Sequence, residues 1–220
     1  MELAGIQASL IFDVGAHEGL AAVRYRELFP GAKIYCFEPF PESFDRLSAA
    51  VSDCQPIELH QIALAETNGE ASFSVNRNSA TNSLLAADSN AAIYWRGDTP
   101  MTTGHVAVRT ETLDAFCSAR AITAIDVLKM DVQGGEFDVL QGAQGLLAQQ
   151  AVGLVYMELI MAPTYVGQHR PREYLELFDR FGYELFDLYN FGRSDGRLLQ
   201  TDVIFISPQV LASYEARLAR

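Results

Sequence analysis

Three carboxylates stand where buried apolar runs of this chain stop. Asp131 follows Ile125–Met130, and behind it come the turn Gln133-Gly134-Gly135 and Glu136, in the first turn of a short expected helix. Glu38 follows Lys33–Phe37, and Asp13 sits in Leu10-Ile-Phe-Asp-Val-Gly-Ala-His-Glu-Gly19. Acids delivered by strand ends to one edge of a sheet are how open α/β folds build binding sites. Gly15 and Gly19 allow a tight turn and close approach of backbone to a ligand. The helix that follows points its first amides at the same place. Glu38 lies about twenty residues beyond that loop, where a carboxylate can accept hydrogen bonds from both hydroxyls of a ribose. The middle glycine of Gly-x-Gly-x-x-Gly is missing, so no seat for a pyrophosphate is evident. A nucleoside without phosphates needs less of a cradle.

The elements that position these groups follow from periodicity. Ser9–Val14, Lys33–Phe37 and Ile57–Ile62 read as strands, with helices expected over Leu20–Phe29 and from Pro41 to about Val51. Pro41 suits a first helical turn. This βαβαβ order is the first half of a doubly wound sheet. Ala71–Val75 alternates like an exposed strand, whereas Asn76–Thr103 is polar, long and without period, as functional or mobile loops are. Val106–Arg109 reads as a strand and Thr112–Arg120 as a helix. Strands Ile125–Met130 and Val152–Glu158 follow, then an irregular stretch to Arg170 and an amphipathic helix over Arg172–Phe181. Tyr183–Leu188 and Thr201–Ser207 are expected to pair across a Gly-rich turn, Asn190–Arg197.

Composition removes several functions. The chain has 220 residues and a net charge of −12, which argues against non-specific nucleic-acid binding and against docking on an anionic membrane. An acidic balance is compatible with a cationic cofactor such as a sulfonium. Cys36, Cys54 and Cys117 are odd in number and without metal-ligand spacing, which reads as reduced thiols in a cytoplasmic protein. Neither a signal peptide nor an apolar run near the roughly 20 residues of a membrane span is seen.

The order of motifs resembles the FkbM-type family of S-adenosylmethionine-dependent methyltransferases. The family's aspartate-glycine loop corresponds to Asp13–Gly19, and its Glu-Pro to Glu38-Pro39. Its Leu-Lys-x-Asp-x-Glu-Gly-x-Glu run corresponds to Leu128–Glu136, its Thr-x-x-Leu-Asp to the segment ending at Asp114, and its next glutamate-ended strand to Val155–Glu158. The resemblance covers roughly Ile11 to Gly182. It departs at Gln133, where the family usually has a glutamate; glutamine is neither a base nor an anionic ligand. A helical cap before the first strand is not expected.

The resemblance implies an α/β fold: one Rossmann-like class I methyltransferase domain over residues 1–220. Its seven-stranded sheet would be mostly parallel, with an antiparallel C-terminal strand and helices on both faces. The cofactor half is expected over about 9–90, and the acceptor side over about 76–105 and 160–172. The cofactor would be S-adenosylmethionine, held by Asp13, Gly15, His17, Gly19, Glu38, Pro39, Ala63, Ser83 and Asp131. The acceptor would be a sugar hydroxyl, a glycoconjugate or a small natural product. Such hydroxyls are weak acids, so a base must take the proton, and Asp131, Glu158 and His169 are the candidates. A divalent metal is conceivable on Asp131 and Glu158, but no compact ligand run supports one.

Some readings stay open. Tyr94-Trp95 and Tyr165 can stack on a substrate ring, cap a pocket, or simply pack. Lys129 can face a carboxylate or snorkel to the sheet edge. Against a methyltransferase stand a nucleotide-cofactor oxidoreductase and a non-catalytic nucleoside-binding protein. Oligomeric state is not legible.

Overall fold

The computed structural model describes residues 7–54, 56–95 and 100–219. Residues 96–99, inside the expected acceptor-side segment, lie outside them. The order of elements begins β1 (Leu10–Val14), α1 (Leu20–Leu28), β2 (Lys33–Phe37), α2 (Pro41–Ala50), β3 (Ile57–His60), β4 (Ala63–Leu64), β5 (Gly69–Asn76), α3 (Ala91–Tyr94), β6 (Thr102–Glu111) and α4 (Leu113–Ala119). It continues β7 (Ile125–Met130), α5 (Glu136–Gln141), α6 (Gln144–Ala148), β8 (Val152–Ile160), α7 (Pro171–Arg180), β9 (Glu184–Ser194), β10 (Arg197–Ile206) and α8 (Pro208–Leu218).

Seven strands form one sheet in the order β3-β2-β1-β7-β8-β10-β9. β3, β2, β1, β7 and β8 pair in parallel, and β10 runs antiparallel between β8 and β9. The chain steps outward from β1 through β2 to β3, then returns to the other side of β1 with β7. That reversal is a topological switch point, which opens a crevice at the strands' carboxyl ends.

Both sheet faces are covered, which is why β1, β2 and β7 are apolar almost without alternation. On one face Phe12, Phe37 and Leu128 pack with Phe116 of α4, Leu140 of α5 and Phe178 of α7. On the other, Ile11, Ile34 and Val127 pack with Tyr25 of α1 and Leu47 of α2, and against Val210 of α8.

Helix starts follow local chemistry. Pro41, Pro171 and Pro208 sit in first turns, where the missing amide costs no hydrogen bond. Thr112 Oγ1 accepts from Ala115 N at 3.1 Å and starts α4. Asp114, two residues on, accepts from Gly145 N (2.7 Å) and Leu146 N (3.0 Å), so this acid of the resemblance caps α6.

The sheet differs from expectation in two places. The third strand ends at His60, and Ala63–Leu64 crosses to a separate three-stranded sheet, β4-β6-β5. That sheet stands beside the crevice, and Ala63 packs there with Phe73, Val108 and Phe40. At the C-terminal edge the expected turn over 190–197 is mostly strand. β9 and β10 continue to Ser194 and from Arg197, and only Asp195 and Gly196 turn, both at positive φ (46° and 81°).

Candidate active site

The crevice at the switch point is a cleft that, with the solvent space at its mouth, spans about 710 Å³. Its floor is the glycine loop after β1. Gly15 has φ 72°, and a Cβ there would lie 1.9 Å from the carbonyl oxygen of Asp131. Only glycine lets the loop pass so close to the end of β7. Gly15 N and Ala16 N both donate to Phe37 O at 3.0 Å, and Asp131 N donates to Val14 O at 3.0 Å, so the ends of β1, β2 and β7 are laced together.

Asp13 lies beneath this floor, fully buried, and does not line the cleft. It faces Lys129, its register neighbour on β7, with Nζ 2.8 Å from Oδ1. Neither Asp13 oxygen has a partner in hydrogen-bond geometry among the described residues, so the contact is chiefly Coulombic. Lys129 Nζ also donates to Gly15 O at 2.9 Å. Burial pushes the ammonium down, but Asp13 and Asp131 outweigh it and lift Lys129 to about 12. Burial pushes Asp13 up against the opposing pull of Lys129. A close, buried contact between the two favours the charged pair. The open choice for Lys129 thus resolves to a carboxylate partner, and the pair supports the loop from below.

Glu38 and Pro39 line the cleft at the end of β2. Glu38 Oε2 accepts from His17 N and Oε1 from Phe40 N, both at 2.9 Å. Burial pushes its carboxyl up to about 7, against the pull of those two amides. Each oxygen keeps one further acceptor position. His17, at φ 48°, turns its ring across the cleft to Ser79, with Nε2 2.9 Å from Oγ. Burial lowers its pKa, which favours the neutral imidazole. Ile62, Ala63, Phe73 and Leu84 form an apolar wall. Gly19 is the left-handed residue before α1, packed on Leu47, and is not among the lining residues.

The segment 78–85 closes the side of the cleft. Ser83 is fully buried and is not among the residues lining this cleft. Its Oγ donates to Gln133 O at 2.8 Å and accepts from Leu85 N at 3.0 Å, which makes it a brace. Its neighbour Asn82 does line the cleft. Asn82 Oδ1 accepts from Asn76 N at 2.7 Å, which fixes the amide, and Nδ2 is buried without a partner among the described residues. A buried donor left unpaired costs about 1–3 kcal/mol, and a ligand acceptor in the cleft would remove that cost.

The far end of the cleft is the turn after β7. Gln133 and Gly134 have φ 56° and 90°. A Cβ on Gly134 would meet the Tyr165 ring at 2.9 Å. Glu136 is buried inside this turn and accepts from Val132 N at 2.9 Å; burial holds its carboxyl up at about 7. Asp131 faces the cleft. Gln133 Nε2 donates to Asp131 Oδ1 at 2.9 Å and to Glu158 Oε2 at 3.0 Å, while its Oε1 accepts from Tyr165 OH at 2.8 Å. One amide therefore joins the two carboxylates. Burial, with the charges of Asp131 and Glu136, holds Glu158 well above the carboxylate range, and the Gln133 hydrogen bond opposes that shift.

Of the expected residues, Gly15, His17, Glu38, Pro39, Ala63 and Asp131 line this cleft. Glu158 joins them through Gln133. His169 does not: its Nδ1 lies 3.1 Å from Glu173 Oε1, and its ring stacks on Phe137 at 3.9 Å, outside the cleft. Asn82 was missed because an unpaired amide is a property of packing. Gln133 stood out in sequence only as a departure, and its distant partners Glu158 and Tyr165 come from β8 and the loop after it. Among the described residues no group of three or more His, Cys, Asp or Glu is arranged to hold a metal ion, and no helix is long and apolar enough to cross a membrane.

Comparison with known proteins finds methyltransferases among both relatives and solved structures. Over 181 residues the chain is 29% identical to 2-O-methyltransferase NoeI of Sinorhizobium fredii, covering 78% of this chain and 72% of that protein. It is 28% identical over 152 residues to hexuronic acid methyltransferase AglP of Haloferax volcanii, covering 68% of this chain and 55% of the relative. In fold it is similar to the crystal structure of methyltransferase FkbM from Methylobacillus flagellatus, with TM-score 0.54 and 15% identity over 90% of this chain and 44% of that one. Magnesium protoporphyrin IX methyltransferase of Synechocystis, solved with bound S-adenosylmethionine, gives TM-score 0.51 at 10% identity over 91% and 70%. The methyltransferase FkbM domain matches residues 13–185, from the glycine loop to the start of β9, and this chain belongs to that family.

Proposed function

We propose that the chain transfers a methyl group from S-adenosylmethionine to a hydroxyl of a sugar, a glycoconjugate or a small natural product. The observation that carries this reading is the Gln133 amide held between Asp131 and Glu158 at the end of the cleft that Glu38 and the glycine loop line. The names of the two relatives, a 2-O-methyltransferase and a hexuronic acid methyltransferase, support oxygen and sugar chemistry.

The cleft fits the cofactor. Glu38 keeps acceptor positions for ribose hydroxyls, Asn82 Nδ2 is an unused donor, and Ile62, Phe73 and Leu84 offer an apolar slot for a flat base. The Asp131 carboxylate suits a sulfonium charge. When bound, the cofactor supplies an electrophilic methyl group whose leaving group is a neutral thioether.

The chain's own tasks are alignment and proton removal. As the acceptor oxygen gains its carbon, its proton must leave, and Glu158 is placed to take it. Only its ionised form can accept the proton, and the Gln133 Nε2 hydrogen bond at 3.0 Å and its opposing pull on the pKa favour that form. Gln133 aims Glu158 and Asp131 together, and Tyr165 fixes which end of the amide faces them. His169 has no part in this scheme.

The test is methyl transfer from isotopically labelled S-adenosylmethionine to a panel of methyl glycosides, read by mass spectrometry. Glu158→Gln should lower kcat by about 100-fold or more and leave cofactor affinity nearly unchanged. A variant with full kcat would remove Glu158 from the chemistry, and absence of cofactor binding by the wild type would remove the methyltransferase reading.

A further inference from the structure

Gln133 borders a second cleft. With the solvent space at its mouth it spans about 630 Å³, and it shares Gln133 and Ala80 with the first, so the two meet at the carboxylate pair. Its walls combine one indole, Trp95, with a polar rim of Glu158, Gln133, Thr164 and Gln200.

The walls are fixed in place. Trp95 Nε1 donates to Thr164 Oγ1 at 2.7 Å, and that hydroxyl donates on to Ala162 O at 3.0 Å. Gln168 Oε1 accepts from Thr164 N and Tyr165 N at 2.9 and 2.8 Å, and its Nε2 donates to Ala162 O at 2.9 Å. Tyr165, 2% exposed, spends its hydroxyl on Gln133 and Thr81. The loop after β8 is therefore already set in shape, and ordering it adds little cost to binding.

Resting on the methyltransferase reading, we propose that this second cleft is the acceptor subsite and that it takes a polyhydroxylated ring of the pyranoside class. Such a ring has an apolar C–H face and a rim of hydroxyls. The indole matches the face. Glu158 and Gln200 offer polar partners to the rim, beside Gln133 and Thr164, whose own hydrogen bonds are already made within the chain. A ring seated there brings one hydroxyl to Glu158 and to the border of the cofactor cleft.

Trp95 is the one tryptophan of the sequence, so its fluorescence reports this cleft directly. The full chain, saturated with S-adenosylhomocysteine, is titrated with neutral methyl hexopyranosides and with methyl hexuronides while Trp95 emission is recorded. A saturable change with glycosides of at least one of these two classes is expected. Trp95→Leu and, separately, Gln200→Ala should each raise the glycoside KM by about tenfold while calorimetric affinity for S-adenosylhomocysteine stays within about twofold. Glycoside turnover with KM unmoved by both variants would overturn the proposal. So would equal weakening of S-adenosylhomocysteine, which would make this cleft part of the cofactor site. Binding of S-adenosylhomocysteine with no glycoside bound or methylated would also overturn it, while leaving the methyltransferase reading intact. Failure of S-adenosylhomocysteine to bind would instead sink that reading and this one with it.

Discussion

Replacing Lys129 by methionine should reveal how the glycine loop is supported. The ammonium lies 2.8 Å from Asp13 Oδ1 and 2.9 Å from Gly15 O, with its side chain 9% exposed and that of Asp13 0%. At an effective dielectric of about 20, unit charges at that distance attract by about 6 kcal/mol, much of it offset by desolvation. Removing one partner of such a pair costs about 3–5 kcal/mol, because the other charge stays buried alone. The lost donor to Gly15 adds about 1 kcal/mol. Burial already raises Asp13 above its ordinary 3.8, and without Lys129 it must rise further. A group raised on folding contributes stability that is complete below its unfolded pKa and lost as pH rises through the folded one. The deficit of the variant should therefore be small in acid and full at neutral pH. Urea unfolding followed by circular dichroism at both conditions measures it. The double variant Asp13→Asn with Lys129→Met should recover most of the loss, since no lone charge remains. A single variant within about 1 kcal/mol of wild type at neutral pH, or a double variant costing as much as the single, would refute the argument.

Glu136, raised from 4.5 to about 7, contributes stability present below pH 4.5 and lost as pH rises through about 7. Relative to Glu136→Gln, the wild type should lose about 3 kcal/mol across that window; a constant gap in urea unfolding would contradict the shift. Asn82→Asp keeps the acceptor for Asn76 N but removes the donor, and should weaken S-adenosylhomocysteine by about tenfold in calorimetry. Ser83→Ala should do the reverse, losing about 1–2 kcal/mol of stability with affinity unchanged. Affinity lost in the serine variant and kept in the aspartate variant would exchange their roles.

Much of the central sheet was legible. The apolar runs at Leu10, Lys33, Ile125 and Val152 are strands because burial on both faces removes polar alternation, and the acids at their ends mark the crevice. What was not legible depends on pairing between distant segments. Lys129 finds Asp13 only through the register of β1 and β7, and Gln133 finds Glu158 and Tyr165 only when β8 lies beside β7. Two strands of the small sheet were legible at Ala71–Val75 and Val106–Arg109, but their pairing across a long polar stretch and the two-residue strand Ala63–Leu64 leave no local signal. Over 190–197, glycine and polar residues suggested a turn, yet β9 at the sheet edge is exposed along most of its length and has no need of apolar alternation. α8 carried a start signal, Ser207-Pro208, that went unused. His169 shared a loop with plausible candidates but is held by Phe137 and Glu173.

The most direct test is a calorimetric titration of the full chain with S-adenosylmethionine beside its Glu38→Ala variant. Binding in the micromolar range, weakened by about 10- to 100-fold in the variant, is the predicted result. No binding, or binding indifferent to Glu38, would contradict the assignment of the first cleft to the cofactor.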